Sequence, residues 1–254
     1  MAPAGSGYDV VIRNGALAEL AARAAAAAPA AAYAVIVPHR LSDGPAARAV
    51  DSLRAAGLRA ELLDFDDAES HKTRETWASL TDRMLDLRLG RDTCIIAVGG
   101  GVTGDIAGFV AATYMRGIPF VQVPTTLLAM IDASVGGKTG VDTPNGKNLV
   151  GAFHSPAAVI IDPAVLRTLP SHQFRSGLAE AVKHGAILDA DYFAWSGEHV
   201  RELLALEPAA LEHLITRSVQ LKAGIVSADP FERDRRAILN FGHTVGHAIE
   251  RDSG

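Results

Sequence analysis

The stretch that decides the fold reads Thr93-Cys94-Ile95-Ile96-Ala97-Val98-Gly99-Gly100-Gly101-Val102-Thr103-Gly104-Asp105. Its first half is an uninterrupted apolar and β-branched run, which is typical of a strand buried on both faces of a parallel sheet. A glycine run follows, and a helical pattern then extends from about Asp105 to Met115. A buried strand, a glycine-rich turn and a helix in this order predict one unit of an α/β fold.

The glycine run has the spacing of a phosphate-binding loop. Gly99, Gly101 and Gly104 match G-x-G-x-x-G, in which the backbone approaches a phosphate without a Cβ clash and the helix N-terminus offers free N–H groups. A plain strand-to-helix turn is the alternative interpretation. The usual dinucleotide fold also has an acid about 20 residues further on, and residues 119–126 contain none. Asp105 directly follows the last glycine instead, where capping of the helix is its simplest role.

Working outward, strand-like and helix-like segments alternate over the first two-thirds of the chain. The predicted strands are Tyr8–Ile12, Tyr33–Val37, Ala60–Phe65 and Phe120–Val123, and the predicted helices are Leu17–Ala28, Pro45–Ala56 and Arg74–Leu87. This order predicts a mostly parallel, Rossmann-like sheet covered by helices, which forms an α/β domain over residues 1–170.

The pattern changes past Ser171, where strand signals become rare. The segments that have helical periodicity are Gln173–Leu188, Tyr192–Leu206, Ala209–Val226 and Arg233–Glu250. We therefore place a domain boundary near residues 168–171 and predict an all-α domain over residues 171–254. Because its last helical pattern stops four residues before Gly254, we expect this helical domain to be incomplete.

Composition excludes several classes of function. The 24 basic and 29 acidic side chains give a net charge of −5, so the chain has no overall attraction to nucleic acid or anionic membranes. No apolar stretch is long enough to span a bilayer, and residues 1–7 lack the features of a signal peptide. The single cysteine, Cys94, lies in the buried strand and is expected to be a small core residue. These features predict a cytoplasmic location.

A polar segment at residues 124–148 is suited to an anionic ligand. It contains Asp132, Gly136-Gly137-Lys138-Thr139 and Asn145-Gly146-Lys147-Asn148. Flexible turns that carry ammonium groups suit phosphate, and a solvated loop is the alternative. The Gly-Lys-Thr sequence is not a nucleotide-binding P-loop, because that motif requires glycine where Asp132 stands.

Two pairs of side chains have the spacing of a metal site on helices. His243 and His247 are at i and i+4, where both could bind a metal or one could bind while the other moves protons. Glu180 and Lys183 are at i and i+3, which also suits a simple ion pair. A carboxylate among small apolar residues needs a reason, and a divalent metal is one. Further polar groups close to the histidines are Lys222, Arg233, Arg235, Arg236 and Asn240, for which a solvated helix face is the alternative.

Four stretches together resemble the 3-dehydroquinate synthases of the sugar-phosphate cyclase superfamily. They are GGGVTGDIAGFVAATYMRG (99–117), VPTTLLAMIDASVGGKTGVDTPNGKNLVG (123–151), GLAEAVKHG (177–185) and LNFGHTVGHA (239–248). The resemblance implies a carbon–oxygen lyase of the shikimate pathway. Such an enzyme converts 3-deoxy-D-arabino-heptulosonate 7-phosphate to 3-dehydroquinate and phosphate. It uses NAD, which is regenerated in each cycle, and a divalent metal, zinc or cobalt, that polarises the hydroxyl being oxidised.

The resemblance also implies roles for individual residues. Glu180 and His243 match zinc ligands, and His247 matches a proton-relay histidine. Residues that match the substrate site are Asp132, Lys138, Asn148, Lys183, Lys222, Arg236 and Asn240. Arg116 matches an arginine that reaches the phosphate site of a neighbouring subunit, which implies a homodimer. Residues expected to contact NAD are Asp67, Glu69, Lys72, Gly101, Val102, Thr103, Gly104, Asp105, Thr125, Thr126, Lys138, Lys147, Val165, Leu166, Arg167 and Thr168.

The sequence departs from the family pattern in two places. Pro38 and His39 stand where the family usually has an aspartate near the adenosine ribose. The family's third zinc ligand and a further phosphate-binding lysine follow the histidine helix, whereas this sequence stops at Gly254. We therefore expect weak zinc retention, unless another side chain such as His184 substitutes.

Three alternatives to this function stay open at the level of the sequence. They are another sugar-phosphate cyclase, a metal-dependent polyol dehydrogenase of similar fold, and a non-catalytic NAD-binding fragment. A dehydrogenase needs no phosphate grip, so the cluster from Lys138 to Asn148 disfavours it.

Overall fold

A computed structural model describes residues 7–242, 245 and 246 of the chain. The strands of its main sheet are β1 (Asp9–Ile12), β2 (Ala32–Pro38), β3 (Arg59–Phe65), β4 (Thr93–Gly99), β5 (Phe120–Pro124) and β8 (Ala158–Ile161). These six strands are parallel and lie in the spatial order β1-β8-β5-β4-β2-β3. The predicted Rossmann-like parallel sheet is confirmed, and β8 is a strand that the sequence pattern did not reveal.

Helices cover both faces of the sheet. The helices are α1 (Leu20–Ala27), α2 (Pro45–Ala55), α3 (Arg74–Asp86) and α4 (Gly101–Thr113). Alternate side chains of β2 belong to different cores: Tyr33, Val35 and Val37 pack with α1 and α2, whereas Ala34 and Ile36 pack with α3 and α4. Cys94 is fully buried in the first of these cores, and burial raises the pKa of its thiol to about 12. This agrees with the prediction of a core residue.

The helix after the glycine run begins earlier than the sequence indicates. We predicted it from about Asp105 to Met115, but α4 begins at Gly101, so the last glycines form its first turn. It ends at Thr113 because Met115 and Arg116 adopt left-handed backbone angles, with φ of 51° and 70°. The first turn of α4 therefore lies directly at the carboxyl end of β4, where free N–H groups face outward from the sheet.

The polar segment is more regular than the flexible turns we predicted. A π-helical turn covers Ala129–Ala133, and an antiparallel hairpin follows, formed by β6 (Lys138–Thr143) and β7 (Gly146–Phe153). The hairpin packs closely on α4, because a Cβ at Gly108 would lie 2.4 Å from Cγ2 of Thr139. This close packing fixes Lys138 and Asn148 relative to the first turn of α4.

The second part of the chain is helical, as predicted. Its helices are α5 (Ser171–Leu188), α6 (Ala190–Glu198), α7 (Val200–Leu204) and α8 (Pro208–Ala228). The single helix predicted over 192–206 is wrong, because α6 and α7 are separate. The continuous helix predicted over 233–250 is also wrong at its start, where a 3₁₀ helix, Arg235–Asn240, leads into a turn at Gly242 with φ of 82°. Within the described ranges, no helix is long and apolar enough to cross a membrane.

Candidate active site

A cavity of about 770 Å³ opens between the hairpin, the π-helical turn, α8 and the 3₁₀ helix that follows α8. It is lined by side chains from both parts of the chain. The predicted site residues that line it are Asp105, Asp132, Lys138, Asn148, Lys222, Arg236 and Asn240. Residues that are far apart in the sequence therefore share one space.

Asp132 and Lys222 connect the two halves of the cavity wall. The ammonium of Lys222, a buried residue on α8, donates to both the carboxylate Oδ1 and the backbone oxygen of Asp132, each at 2.5 Å. Burial acts to raise the pKa of Asp132, but the charge and hydrogen bond of Lys222 outweigh it, so the pKa of this carboxyl is lowered. Asp132 therefore stays ionised and holds the π-helical turn against α8.

Two further cations face the same cavity. Arg236 is buried and donates to the backbone oxygen of Pro230 at 2.7 Å, and burial lowers the pKa of its guanidinium. Lys138 pairs with Glu232. Burial and the neighbouring cations Arg236 and Lys222 lower the pKa of Lys138 to about 8, although nearby aspartates oppose that shift. Three cations on one cavity favour an anionic ligand, because they stabilise its negative charge.

Lys72 ties the hairpin to the first turn of α4. The residue is only 4% exposed, and its ammonium donates to Oδ2 of Asp105 and to Oδ1 of Asn148, both at 2.6 Å. Burial raises the pKa of the Asp105 carboxyl, while the adjacent ammonium of Lys72 opposes that shift. Three residues predicted to contact NAD or substrate thus form one buried cluster, which we call the sheet-side cluster.

The glycine run is held by close packing. A Cβ at Gly99 would lie 2.3 Å from Oγ1 of Thr103, so only glycine fits there. The N–H of Thr125 donates to the backbone oxygen of Gly99 at 2.8 Å, and the hydroxyl of Thr126 accepts from the N–H of Ala129. The loop after β5 therefore braces the loop after β4, and both lie at the carboxyl edge of the sheet, where α/β folds bind ligands.

The remaining residues predicted to contact NAD lie at the ends of other strands. Asp67 accepts both hydrogen bonds of a bidentate pair from Arg40, and Glu69 lies 3.4 Å from Lys147. Residues 165–168 belong to the 3₁₀ helix Pro163–Thr168 after β8, where Leu166 is fully buried in a core cluster. These positions are compatible with the predicted contacts, which stay predictions.

The family's aspartate at the end of β2 has a partial replacement in space. His39 Nδ1 lies 2.8 Å from Oδ2 of Asp64, which belongs to the neighbouring strand β3. A carboxylate is therefore present near this edge, but it is paired with the imidazole.

A second cavity, of about 590 Å³, adjoins the first and shares Leu128 and Asp132 with it. Glu180 and Lys183 of α5 line it, and the ion pair that their spacing allows is present, with Nζ 2.6 Å from Oε1. Lys183 also donates to the backbone oxygen of Leu239 at 2.6 Å. Lys183 thus touches the carboxylate predicted to bind metal, in addition to its predicted role toward substrate.

Asp132, Glu180 and His184 form a group of possible metal ligands, with one donor atom from each lying within 4.8 Å of the others. We call this group the helix-side cluster. His184 is fully buried, and its Nε2 lies 3.2 Å from Oε1 of Glu180. Burial acts to raise the pKa of Glu180, but His184 and Lys183 outweigh it and lower the pKa.

The helix-side cluster has spare bonding capacity. The contacts of Glu180 Oε1 with Lys183 and His184 are close but lack hydrogen-bond geometry. Among the described residues, this oxygen and both ring nitrogens of His184 have no hydrogen-bonding partner. Buried polar atoms without partners are unfavourable by about 1–3 kcal/mol each. A divalent cation that accepts carboxylate and imidazole ligands would satisfy them, so this donor set fits a metal ion.

Comparison with known proteins identifies the family. The model of the 3-dehydroquinate synthase N-terminal region matches residues 62–176, and that of the C-terminal region matches residues 177–254. The chain belongs to the 3-dehydroquinate synthase family. The 3-dehydroquinate synthase of Bordetella pertussis is 48% identical over 254 residues, which is 100% of this chain and 70% of that protein. The one from Pelotomaculum thermopropionicum is 51% identical over 203 residues, 80% of this chain and 55% of its own length.

Two solved structures of sugar-phosphate cyclases are also similar. A 2-deoxy-scyllo-inosose synthase in complex with carbaglucose-6-phosphate, NAD⁺ and Co²⁺ has a TM-score of 0.88 and 31% identity, covering 96% of this chain and 66% of its own. A 2-epi-5-epi-valiolone synthase from Streptomyces hygroscopicus, with NAD⁺ and Zn²⁺ bound, has a TM-score of 0.84 and 32% identity, covering 93% and 66%. The chain thus spans between about half and 70% of the length of these relatives.

Some residues predicted from the 3-dehydroquinate synthase pattern are not brought to the cavities. Arg116 is exposed beyond the end of α4, and within residues 7–242 it lines neither cavity. His243 and His247 lie outside the described residues, so their predicted roles in a family member stay predictions.

Two residues of this 3-dehydroquinate synthase relative were missed or underrated at the level of the sequence. His184 was weighed only as a substitute ligand, although its i+4 spacing from Glu180 was the same signal that drew attention to His243 and His247. Glu232 lines the large cavity, but it lies in the charged stretch Glu232-Arg233-Asp234-Arg235-Arg236, which has no periodic signal.

Proposed function

We propose that this chain carries the active site of a 3-dehydroquinate synthase, which converts 3-deoxy-D-arabino-heptulosonate 7-phosphate to 3-dehydroquinate and phosphate. One observation carries the proposal. Lys138, Asn148, Arg236 and Asn240 face a single cavity that adjoins both the first turn of α4 and the helix-side cluster. A sugar phosphate with a carboxylate needs such a combination of anion-binding groups and polar groups for its hydroxyls.

NAD is the proposed redox cofactor, and when bound it supplies a reversible hydride acceptor. The residues that would hold it are the first turn of α4, with its outward N–H groups, and the sheet-side cluster beside it. The NAD⁺ named in the two cyclase structures supports this assignment. Lys72 and Thr125 position the loops, so that the nucleotide would meet a rigid edge of the sheet.

A divalent metal, zinc or cobalt, is the proposed second cofactor, and when bound it supplies a Lewis acid for the hydroxyl that is oxidised. The donor set that would hold it is Glu180 with His184 and Asp132, together with the predicted ligand His243. Co²⁺ and Zn²⁺ in the two cyclase structures support this class of metal. The buried atoms without partners at Glu180 and His184 support it independently.

The substrate would be oriented by groups from both parts of the chain. Lys138, Arg236 and Asn240 would hold its anionic groups, while the Asp132–Lys222 pair would contact its hydroxyls. The Asp132 carboxylate is ionised and can accept a proton at Oδ1 from a hydroxyl, while Lys222 stabilises the charge. Since these groups lie on α8 and the hairpin, the cavity between them would shield the reacting atoms from bulk water.

We also propose a homodimer in which Arg116 reaches the anion site of the second subunit. Its exposure and its left-handed backbone angle, which projects it from the end of α4, support this role. Sedimentation equilibrium measures the mass directly. A monomer at micromolar concentration would contradict the proposal.

The test of function is the release of inorganic phosphate from the heptulosonate phosphate, with NAD and Zn²⁺ or Co²⁺ supplied. We expect release without net accumulation of NADH, at least about 100-fold slower in Lys138→Met, because loss of one positioned electrostatic group costs that much. Arg48→Met, which removes an exposed cation on α2, is the matched control.

The other outcomes identify the alternatives. Accumulation of NADH would indicate a polyol dehydrogenase. Phosphate release only from other sugar phosphates in a substrate panel would indicate another cyclase. NAD binding with no phosphate release from any substrate would indicate a non-catalytic fragment.

A further inference from the structure

The anion site of the large cavity already contains an anion that belongs to the chain itself. One carboxylate oxygen of Glu232 contacts the ammonium of Lys138, and the other accepts a hydrogen bond from Nδ2 of Asn240 at 2.9 Å. The Glu232 side chain is only 21% exposed. Lys138 and Asn240 are two of the groups that the proposed function assigns to the anionic parts of the substrate, so a carboxylate occupies the donors that a ligand would need.

The loop that carries Glu232, residues 229–234, is built to hold it there. Asp229 ends α8 and accepts hydrogen bonds from the backbone N–H groups of Arg233, Asp234 and Arg236, at 2.8–3.1 Å. Phe231 packs edge-on against Phe153 of the hairpin, with ring centroids 5.4 Å apart. The loop is therefore anchored to the helical part at one end and rests on the hairpin near its middle.

The backbone at Glu232 supports a defined role for the side chain. Its φ is 53°, a left-handed angle that disfavours a non-glycine residue by roughly 1–2 kcal/mol. Such strain persists only where the surroundings hold it, and it concentrates at ligand sites and switches. Here the Asp229 hydrogen bonds and the Phe231–Phe153 contact hold it, and the result is a carboxylate directed at Lys138.

We propose that Glu232 is an internal competitor for the anion site: its carboxylate occupies Lys138 and Asn240 in the free chain, and a phosphate or carboxylate ligand must displace it to bind. Glu232 therefore sets the affinity of the site. The idea rests on the proposed function only in naming which ligand benefits, because the competition itself applies to any oxyanion. If the carboxylate occupies the site about 90% of the time, a ligand binds about tenfold more weakly than to the vacant site.

The test is the dissociation constant of inorganic phosphate, measured by isothermal titration calorimetry at pH 7 on the 254-residue chain. We expect Glu232→Gln, which keeps the shape and removes the charge, to bind phosphate about tenfold more tightly. Glu232→Asn is a second variant, since asparagine tolerates the left-handed backbone angle, and it should show the same gain. Glu198→Gln removes an equal charge from an exposed position on α6 and should leave the constant unchanged.

A double-mutant cycle with Lys138→Met separates competition from a general change in charge. In the Lys138→Met background the gain from Glu232→Gln should disappear, because there is no ammonium left to compete for. Unchanged or weaker phosphate binding in both Glu232 variants would overturn the proposal, and weaker binding would identify Glu232 as a residue that positions Lys138. Tighter phosphate binding combined with no turnover of the heptulosonate phosphate would sustain the competitor and reject the proposed function.

Discussion

The sheet-side and helix-side clusters are both buried and charged, but they differ in completeness. In the sheet-side cluster, the ammonium of Lys72 donates to Asp105 and Asn148, and each of these side chains has its partner inside the chain. In the helix-side cluster, Glu180 Oε1 and both ring nitrogens of His184 lack hydrogen bonds within the described part of the chain. The first cluster holds the structure together, whereas the second has the properties of a site that is completed by a ligand.

The same difference appears in how the two clusters are assembled. The sheet-side cluster joins the hairpin to α4, so its hydrogen bonds connect elements distant in sequence. Glu180 and His184 of the helix-side cluster lie one turn apart on α5 and are held in place by that helix whether or not anything binds between them. A buried charge network that supports tertiary contacts should therefore respond to mutation through stability, and a preformed donor set through binding.

The largest expected effect is the loss of stability on breaking the sheet-side cluster. Lys72→Met should lower the free energy of unfolding by about 3 kcal/mol, because it leaves the Asp105 carboxylate buried without its cation. Urea denaturation followed by circular dichroism measures this change. Arg74→Met, an exposed cation at the start of α3, is the control, with an expected change below about 0.5 kcal/mol. Equal stability of the two variants would mean that the cluster is not structural.

The next effect is on metal binding at the helix-side cluster. His184→Leu should weaken the affinity for Zn²⁺ or Co²⁺ about thirtyfold, since groups that bind or orient a metal ligand contribute about 10–100-fold. Stability in the absence of metal should not fall, because an apolar side chain replaces a buried imidazole without hydrogen bonds. Competition with a chromophoric chelator gives the affinity.

The control for that experiment lies on the same helix. His172→Leu changes an exposed histidine of α5 and should leave metal affinity intact. A drop in unfolding free energy for His184→Leu without a loss of metal binding would reverse the comparison between the clusters and make His184 a structural residue.

The smallest effect concerns the pH dependence of anion binding. The pKa of Lys138 is about 8, so its ammonium loses charge as pH rises through that value, and binding of an anion weakens. Affinity for sulfate, whose own charge is constant, should fall about fourfold between pH 7 and 8.5, in proportion to the protonated fraction. Lys138→Arg should remove this dependence because arginine stays charged. A pH-independent affinity in the unmodified chain would show that Lys138 is not an anion-binding group.

Much of the fold could be predicted because its signals are local. The apolar run at Thr93–Val98, the glycine spacing from Gly99 to Gly104 and the helical periodicity after Ser171 each lie in one window of sequence. The hairpin at 138–153 was missed since its glycines and polar residues are also typical of loops, and β7 remains largely exposed. The helix predicted over 233–250 failed because the turn at Gly242 and the Asp229 hydrogen bonds override local propensity.

The candidate site was predicted unevenly for the same reason. Lys138, Arg236 and Asn240 followed from the family resemblance, and they do share a cavity. The partners of these residues did not follow from it. Neither the Lys72–Asp105–Asn148 cluster nor the placement of Glu232 on Lys138 has a signature in any single segment.

The sequence by itself determined the parallel α/β sheet, the helical second part, the family and the types of chemical group at the site, because periodicity, glycine spacing and motif order are properties of the chain read in one dimension. Only the tertiary structure decided which buried charges are paired, which donors remain for a metal ion, and which carboxylate fills the anion site. Those outcomes depend on distances between residues that are far apart in sequence, and such distances are set by the packing of the hairpin on α4 and of α8 against the π-helical turn.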